Sequence, residues 1–442
     1  MNIYALSSGR GPSGIGIIRL SGKGTYEISK SILKHTKIKS KEVNLCNFYN
    51  PKNGDLIDEG LFLWFPGPNS YTGDDLAEFH IHGSNAVIVY FLQVLSEQKD
   101  CRLAEPGEFT KTAFLNNKID LVKAESIGDL IQAETELQRQ QAIKLVQGKA
   151  SEHYNLLRQK LVKSLAYIEA QIDFAEDDLP ESLLIEVQKS IVEVQAEIKK
   201  ILEDHKVGEK IRDGFKVSII GDVNVGKSSL LNLLSKREAA IVSEEKGTTR
   251  DIIETYLNID GYPVILSDTA GIRDTDNKVE KKGIEMAMNS LKEADLNIIM
   301  LDNSSQKINL KIKDLINKDC IVVLNKSDLC KNKIQNFEQH DSILISVKEN
   351  KNIDQLIQKI KDKLNIKFTS ASTILISRER HRFKLNACLK EIDNFLKKNQ
   401  TKHIELAAED LRQATKCLSE IVGKVDVEEI LGSIFSDFCI GK

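Results

Sequence analysis

Residues Phe215–Ser229, FKVSIIGDVNVGKSS, decide the fold of this chain. Phe215, Val217, Ile219 and Ile220 read as a buried strand; Gly221 to Ser228 follow as G-x-x-x-x-G-K-S, and a leucine-rich run restarts a helical period. A strand, a glycine-bracketed loop and a helix in that order form a phosphate cradle. Backbone N–H groups of the loop that carries Asn224, Val225 and Gly226 ring anionic oxygens at a helix N-terminus. Lys227 is expected to reach the outer phosphates, Ser228 to give a hydroxyl to magnesium, and Ser229 to complete the site.

Working outward, the following elements choose the nucleotide. The apolar strand YPVILSDTAG ends in Asp268, placed to hold magnesium through water; Thr269, Ala270 and Gly271 follow, and the Gly271 backbone can approach a γ-phosphate. A second strand, CIVVLNKSD, ends in Asn325, Lys326 and Asp328. A carboxylate that accepts two hydrogen bonds matches the adjacent ring N–H and exocyclic amine of guanine, whereas adenine has no such donor pair. Asp328 is therefore expected to select GTP over ATP. In ILISVKEN, Ser346, Val347 and Lys348 are expected to close over the base. The polar loop SEEKGTTRD contributes Ser243, Glu244, Glu245, Lys246, Gly247 and Thr248, with Thr249 as the hydroxyl that senses magnesium and γ-phosphate.

Hydrolysis needs an oriented water, and many GTPases use a glutamine just after the Asp-x-x-Gly element. Ile272 stands there and has no polar group to offer. The nearby candidates are Glu280, Asp274, Asp276 and Arg273; Glu280 is preferred because it introduces a helical stretch that would move with the Gly271 loop. Positive charge for the transferring phosphoryl comes from Arg250 or from a partner. Asn224 offers an oxygen that would help to hold a monovalent cation beside the phosphates.

At 442 residues the chain is long enough for about three domains. An apolar fraction of 41%, a charged fraction of 29% and a net charge of −3 are those of a soluble globular protein. Such a balance is not that of a wholesale nucleic-acid binder, so RNA would have to meet a local basic face or a second protein. The seven cysteines are odd in number and never spaced Cys-x-x-Cys, which argues against a disulfide framework and a zinc site. With no signal-like N-terminus and no stretch apolar enough to span a bilayer, the expected location is the cytoplasm, with no membrane partner.

Before about Asn117, strand-like runs such as GIGIIRL and GLFLWF alternate with Gly and Pro, with one helix near Asn85 to Gln98. Long helices follow: Leu157, Leu161, Leu165, Ile168 and Ile172 form one face, and Leu184, Val187, Ile191, Val194, Ile198 and Ile201 another. From Phe215 to about Lys367 strands and helices alternate, as in a parallel sheet with crossovers. After Ser372 helices return, with Leu385, Cys388, Leu389, Ile392, Phe395 and Leu396 on one stripe and Leu411, Leu418, Ile421 and Val422 on the next, stopped by Gly423. The expected order is an α+β domain (1–118), a helical domain in two parts (119–213 and 371–442) and an inserted α/β nucleotide domain (214–370). His80 and His82 alternate on one strand and read as satisfied strand histidines rather than metal ligands; Trp64 reads as core.

The chain ends in FSDFCIGK, where Cys439 stands four places from the end, but Gly441 and Lys442 do not fit a prenylation signal. Val427, Ile430, Leu431, Ile434, Phe435 and Phe438 form an apolar helix face behind an Asp426/Glu429 cap, so this helix should dock and carry Cys439 to a fixed place.

GDVNVGKSS, GTTRD, DTAGIRD and NKSD, with FPGPNSYTGDD, AFLNNKIDL and the terminal CIGK, together resemble the MnmE (TrmE) family of tRNA-modification GTPases over essentially the whole chain. The resemblance implies a P-loop GTPase domain inserted in an all-α domain, preceded by an α+β domain that binds a reduced folate of the 5-formyltetrahydrofolate type and forms a homodimer. It also implies a flavoprotein partner, MnmG, with which the family installs an aminomethyl-type group on C5 of the wobble uridine of certain tRNAs. Potassium ligands carried over by position are Asn224, Ser243, Glu245 and Thr248; magnesium ligands are Ser228 and Thr249; Glu280 matches the family's water-orienting glutamate. The folate positions would be Arg19, Glu78, Lys118 and Lys442, with Cys439 as a catalytic residue. A carboxylate suits the paired donors of a pterin, and cations suit its anionic tail. The segment SRERHRFKLNACLKEIDNFLKKNQTKH is the most basic helical stretch and divides evenly between an RNA contact and a solvated face. A competing class is an RNA-binding ribosome-assembly GTPase without modification chemistry, but no Gly-x-x-Gly loop of a KH module follows the nucleotide block.

Overall fold

The computed structural model describes residues 1–9, 11–34, 38–173, 181–237, 254–268, 293–304, 316, 320–329, 342–368, 374–398, 403–425, 428–436 and 438–442. Two compact units divide the chain. The first comprises Met1–Gly128, Leu145–Leu165 and Leu411–Lys442; the second comprises Asp129–Lys144 and Ala166–Asp410.

In the first unit, β1 (Asn2–Leu6), β2 (Ser13–Ser21), β3 (Asn44–Tyr49), β4 (Leu56–Phe65), β5 (Leu76–Gly83) and β6 (Cys101–Leu103) form one sheet in the order β3-β4-β5-β2-β1-β6. All neighbours are antiparallel except β1 and β6. Alternation of apolar residues puts Phe48, Phe62 and Phe79 on one face, where Phe91 of α2 (Asn85–Ser96) and Ile28 and Ile32 of α1 (Thr25–Leu33) cover them. The phenylalanine rings meet edge-on or tilted at 5.0–5.7 Å, and Trp64 is buried in the same core. Ser84 caps α2 by accepting from the Val87 N–H at 3.2 Å. Three helices, not one, accompany the strands, since α3 (Glu108–Leu115) follows the αL residue Gly107. Both α1 and α3 are short, at 9 and 8 residues, too short for sequence periodicity to show them.

After α5 (Glu136–Val146) comes α6 (Lys149–Asp173), on which Tyr154, Leu157, Leu161, Ser164 and Ile168 are buried, whereas Leu165 and Ile172 are only half-buried. The seam follows 3-4 spacing through a serine, which an apolar-only reading passes over. The helices α12 (Ile404–Val422) and α6 meet through Arg158 Nε, which donates to Ser419 Oγ at 2.8 Å. The last helix, α13 (Glu428–Ser436), docks as expected: Leu431, Ile434, Phe435 and Phe438 bury against Leu121 and Ala124 of α4 (Leu121–Gln132) and Phe114 of α3. Of its proposed cap, Asp426 lies outside the described residues.

In the second unit, α7 (Glu181–Leu202) packs Val187, Ile191, Val194 and Ile198 toward α11 (Glu379–Lys397), whose Leu385, Cys388, Ile392 and Phe395 are fully buried. Leu184, Leu389 and Leu396 stay half-buried beside those stripes. Gln195 Nε2 donates to Asp393 Oδ1 at 2.5 Å across the pair. The helix α8 (Val207–Asp213) leads into β7 (Phe215–Gly221).

The second sheet runs β12-β11-β10-β7-β9-β8, with β8 (Glu254–Ile259), β9 (Tyr262–Asp268), β10 (Leu296–Asp302), β11 (Cys320–Asn325) and β12 (Ser342–Leu344). Five strands are parallel, and α9 (Lys227–Arg237) and α10 (Ile353–Phe368) pack leucines and isoleucines on one face. The sheet departs from the all-parallel expectation at β8, which pairs antiparallel with β9. Asp260 and Gly261 join them with φ of 48° and 92°. Two left-handed residues make a type I′ hairpin, whose twist fits antiparallel neighbours, so the dipeptide Asp-Gly dictates the exception.

Candidate functional site

The phosphate loop lies where expected, between β7 and α9 at the carboxyl edge of the parallel strands. Lys227 is buried, and its Nζ donates to the carbonyls of Gly221 at 3.0 Å and Asp222 at 2.9 Å. Its charge is thus held within the loop that it would serve. Asn325, at the end of β11, joins three elements: its Nδ2 donates to Val225 O at 2.8 Å and its Oδ1 accepts from the Val347 N–H at 3.1 Å. The phosphate loop, the end of β11 and the loop of Ser346 to Lys348 are therefore one hydrogen-bonded piece. Lys326 Nζ meets Asp302 Oδ2 at 2.6 Å, with Lys326 at φ 64°.

Asp328 Oδ1 accepts from Ser346 Oγ at 2.6 Å, and that hydroxyl also accepts from the Glu349 N–H at 3.1 Å. The Ser346 hydrogen bond holds the Asp328 carboxyl below its usual range, so it is ionised and acceptor-only at neutral pH. Asn224, Gly226, Ser229, Asn325, Lys326, Asp328, Val347 and Lys348 help to line a cavity of about 600 Å³. The cavity brings the Asp328 carboxylate and phosphate-loop residues Asn224 and Gly226 onto one lining, and its volume suits a nucleotide. Asn232, Leu233 and Lys236 of α9 also line it. Those three were not anticipated; their signal was the i, i+3/i+4 spacing from Ser229. Ser228 stands exposed in the first turn of α9. Residues Ser243 to Arg250, Thr269 to Asp276 and Glu280 lie outside the described residues, and of Asp268 only the backbone at the end of β9 is described.

A second cluster sits on the first unit's sheet. Arg19 and Glu78 are direct cross-strand partners, and the Arg19 guanidinium donates to Glu78 Oε1 from Nε at 3.1 Å and Nη2 at 2.7 Å. Tyr71 and Phe109 rings lie 5.5 and 5.6 Å from the guanidinium carbon. Tyr71 in turn shares a 2.9 Å hydrogen bond with Thr110. The His80 hydrogen bond, opposed by burial and helped by the Arg19 charge, brings the Glu78 carboxyl down to about 2. Lys118 Nζ donates to Pro68 O at 2.8 Å, on the loop that carries Tyr71. Lys442 joins through its backbone: its backbone oxygen accepts from the Phe109 N–H at 3.1 Å. Arg19, Glu78 and the Lys442 backbone thus share Phe109 and its neighbours, and Lys118 grips the adjoining loop. Tyr71 and Phe109 were not foreseen, because a lone aromatic beside Gly and Pro carries no periodic signal. Of the two strand histidines, His80 Nε2 lies 3.5 Å from Glu78 and His82 Nδ1 lies 2.8 Å from Asp58, which satisfies both as the sequence led one to expect.

Because the folded Glu78 titrates below its unfolded value of about 4.5, its pairing contributes stability that is complete above that value and is lost as pH falls through about 2. Acid unfolding of the wild-type chain should therefore steepen between pH about 4.5 and about 2, and Glu78→Gln should flatten that segment. Superimposable acid titrations by circular dichroism would count against the pairing.

The basic stretch does not present a continuous face. Arg378 Nη2 donates to Asp129 at 2.7 Å, while Arg382 contacts Glu209 at 2.6 Å, Asp204 at 2.6 Å and Leu202 O at 3.1 Å. Two of its arginines are structural, and His381 is fully buried. Among the described residues, no helix is long and apolar enough to cross a membrane.

A strand-loop-helix phosphate cradle bonded to an Asn-Lys-x-Asp strand end, on a parallel sheet, defines a P-loop GTPase. Residues 2–118 match the model of the GTP-binding protein TrmE N-terminus, and residues 121–439 match that of the MnmE helical domain. The chain belongs to the MnmE family of tRNA modification GTPases. It is 55% identical over 444 residues to the tRNA modification GTPase MnmE of Pelagibacter ubique, with 100% of each chain covered. The Rickettsia bellii MnmE is 42% identical, covering 100% of this chain and 99% of that one. The mitochondrial tRNA modification GTPase gtpbp3 of Dictyostelium discoideum is 40% identical, covering 100% and 95%.

Proposed function

We propose that this GTPase is stimulated by potassium and, with the flavoprotein MnmG, installs a carboxymethylaminomethyl-type group on C5 of the wobble uridine of certain tRNAs, using a reduced-folate one-carbon unit. The observation that carries the folate half is the packing of Phe109, whose ring stacks on Arg19 while its N–H holds Lys442. That places a fixed cation, its Glu78 partner and the terminal tetrapeptide on one unit. In this reading residues 1–118 bind folate and pair two copies, 214–370 form the GTPase domain, and 119–213 with 371–442 form the helical domain.

GTP and magnesium would sit on the cradle of Asn224 to Ser229, with Thr249 completing the metal's shell. Asn224, Ser243, Glu245 and Thr248 would hold potassium, which would supply positive charge beside the phosphates; Glu280 orients the attacking water, and Arg250 adds charge. Cys439 acts at the folate, and the cytoplasm is the compartment. Nucleoside analysis of tRNA after incubation with this protein, MnmG, GTP and reduced folate tests the proposal. Modified uridine should form in potassium, fall sharply in sodium, and vanish with Glu280→Ala although GTP still binds. Equal yields in the two salts would sink the cation assignment, and no product at all would sink the reading.

A further inference from the structure

We infer that Ser7 is a positioning residue for the terminal tetrapeptide, holding it beside the Arg19–Glu78 pair together with the backbone of Phe109. The inference rests on the folate reading above and deepens it.

The tail is held from two sides. On one, Gly107 N–H donates to Cys439 O at 3.4 Å, Phe109 N–H donates to Lys442 O at 3.1 Å, and Pro106 pairs with Ile440 as an antiparallel bridge. On the other, Ser7 Oγ donates to Gly441 O at 2.8 Å. Unlike those backbone contacts, this one is made through a side chain. The path leaves no room for drift. Gly441 has φ +99°, and a Cβ there would lie 2.2 Å from Leu6 O, so the tail runs against the backbone just before Ser7. Upstream, Phe435 and Phe438 are buried, so only a few residues separate a fixed helix from the clamp.

Phe109 makes the clamp relevant to the chemistry. Its N–H holds Lys442 while its ring lies 5.6 Å from the Arg19 guanidinium carbon, so displacing the tail disturbs a residue packed on Arg19. Cys439 is exposed two residues before Gly441, and the Ser7 contact restricts where its thiol stands. A hydroxyl at position 7 thus sets the fraction of molecules with the tail docked.

The test uses the full chain with MnmG, tRNA, GTP and reduced folate. Ser7→Ala should lower kcat for modification about fivefold, the loss of one hydrogen bond, with KM for tRNA unchanged. Ser7→Thr, which keeps the hydroxyl, should restore the rate to within about twofold. Amide exchange at Phe109, read by mass spectrometry or NMR, should quicken in Ser7→Ala and stay slow in Ser7→Thr. Wild-type kcat with unchanged Phe109 protection in Ser7→Ala would overturn the clamp, as would equal loss in both variants. The underlying reading fails separately if the wild-type protein does not bind reduced folate or if Cys439→Ser modifies tRNA at full rate; the clamp is then judged on amide exchange alone.

Discussion

Asp328→Asn should weaken GTP binding by about 100-fold, through the loss of charge-assisted hydrogen bonds worth about 1.5–3 kcal/mol each. The Asp328 carboxylate is oriented by Ser346 at 2.6 Å and lines the same cavity as Asn224 and Gly226 of the phosphate loop. Guanine would present two N–H donors to it. An amide replaces one acceptor oxygen by a donor, which then faces a donor of the base. Xanthine carries a carbonyl where guanine carries the amine, so the variant should gain affinity for XTP while it loses GTP. Calorimetric titration with both nucleotides is the check, and a GTP affinity within about threefold of wild type would remove Asp328 from base recognition.

Arg382→Ala should destabilise the second unit by about 3–5 kcal/mol, the cost of stranding half of a buried ion pair. Asp204 and Glu209 both lose their partner, and Glu209 is 8% exposed. Arg382→Lys should recover only part, because a point cation cannot serve two carboxylates and the Leu202 carbonyl as a planar fork does. Urea unfolding of the full chain gives the measurement. A midpoint unchanged by Arg382→Ala would return this arginine to the pool of surface charges.

The nucleotide site was the most legible part of the chain, and the reason is local. A phosphate loop needs its strand, glycines, lysine and hydroxyl in consecutive order, so Gly221 to Ser228 could be read without tertiary information. Asn325 shows where such reading stops. The motif names it, but its bonds to Val225 and Val347 join residues 100 and 22 positions away. Helical seams were legible wherever they were apolar throughout, as on α7, and misjudged on α6, where Ser164 takes the place that Leu165 was expected to fill. Charge was least legible. A helix rich in Arg and Lys reads the same whether its arginines face water or, like Arg378 and Arg382, face Asp129 and Glu209. The cluster around Arg19 was named from family resemblance alone; its logic, a cross-strand ion pair stacked on two aromatics 38 residues apart (Tyr71 and Phe109), depends on sheet register.

The Asp260–Gly261 turn imposes a length rule on the nucleotide unit. Two left-handed residues fix the pairing of Ile259 with Tyr262 and Leu257 with Val264. Both Leu257 and Ile259 are fully buried, whereas Tyr256, the residue before Leu257, is 37% exposed and Asn258 between them is half-buried. Strand side chains alternate with a period of two, so one residue inserted within the paired part of β8, where no bulge absorbs it, would exchange the inner and outer faces of the residues before it. Paired insertions preserve the alternation. Length variation within the paired part of this hairpin is therefore favoured in even steps, a parity that no single-residue substitution can probe.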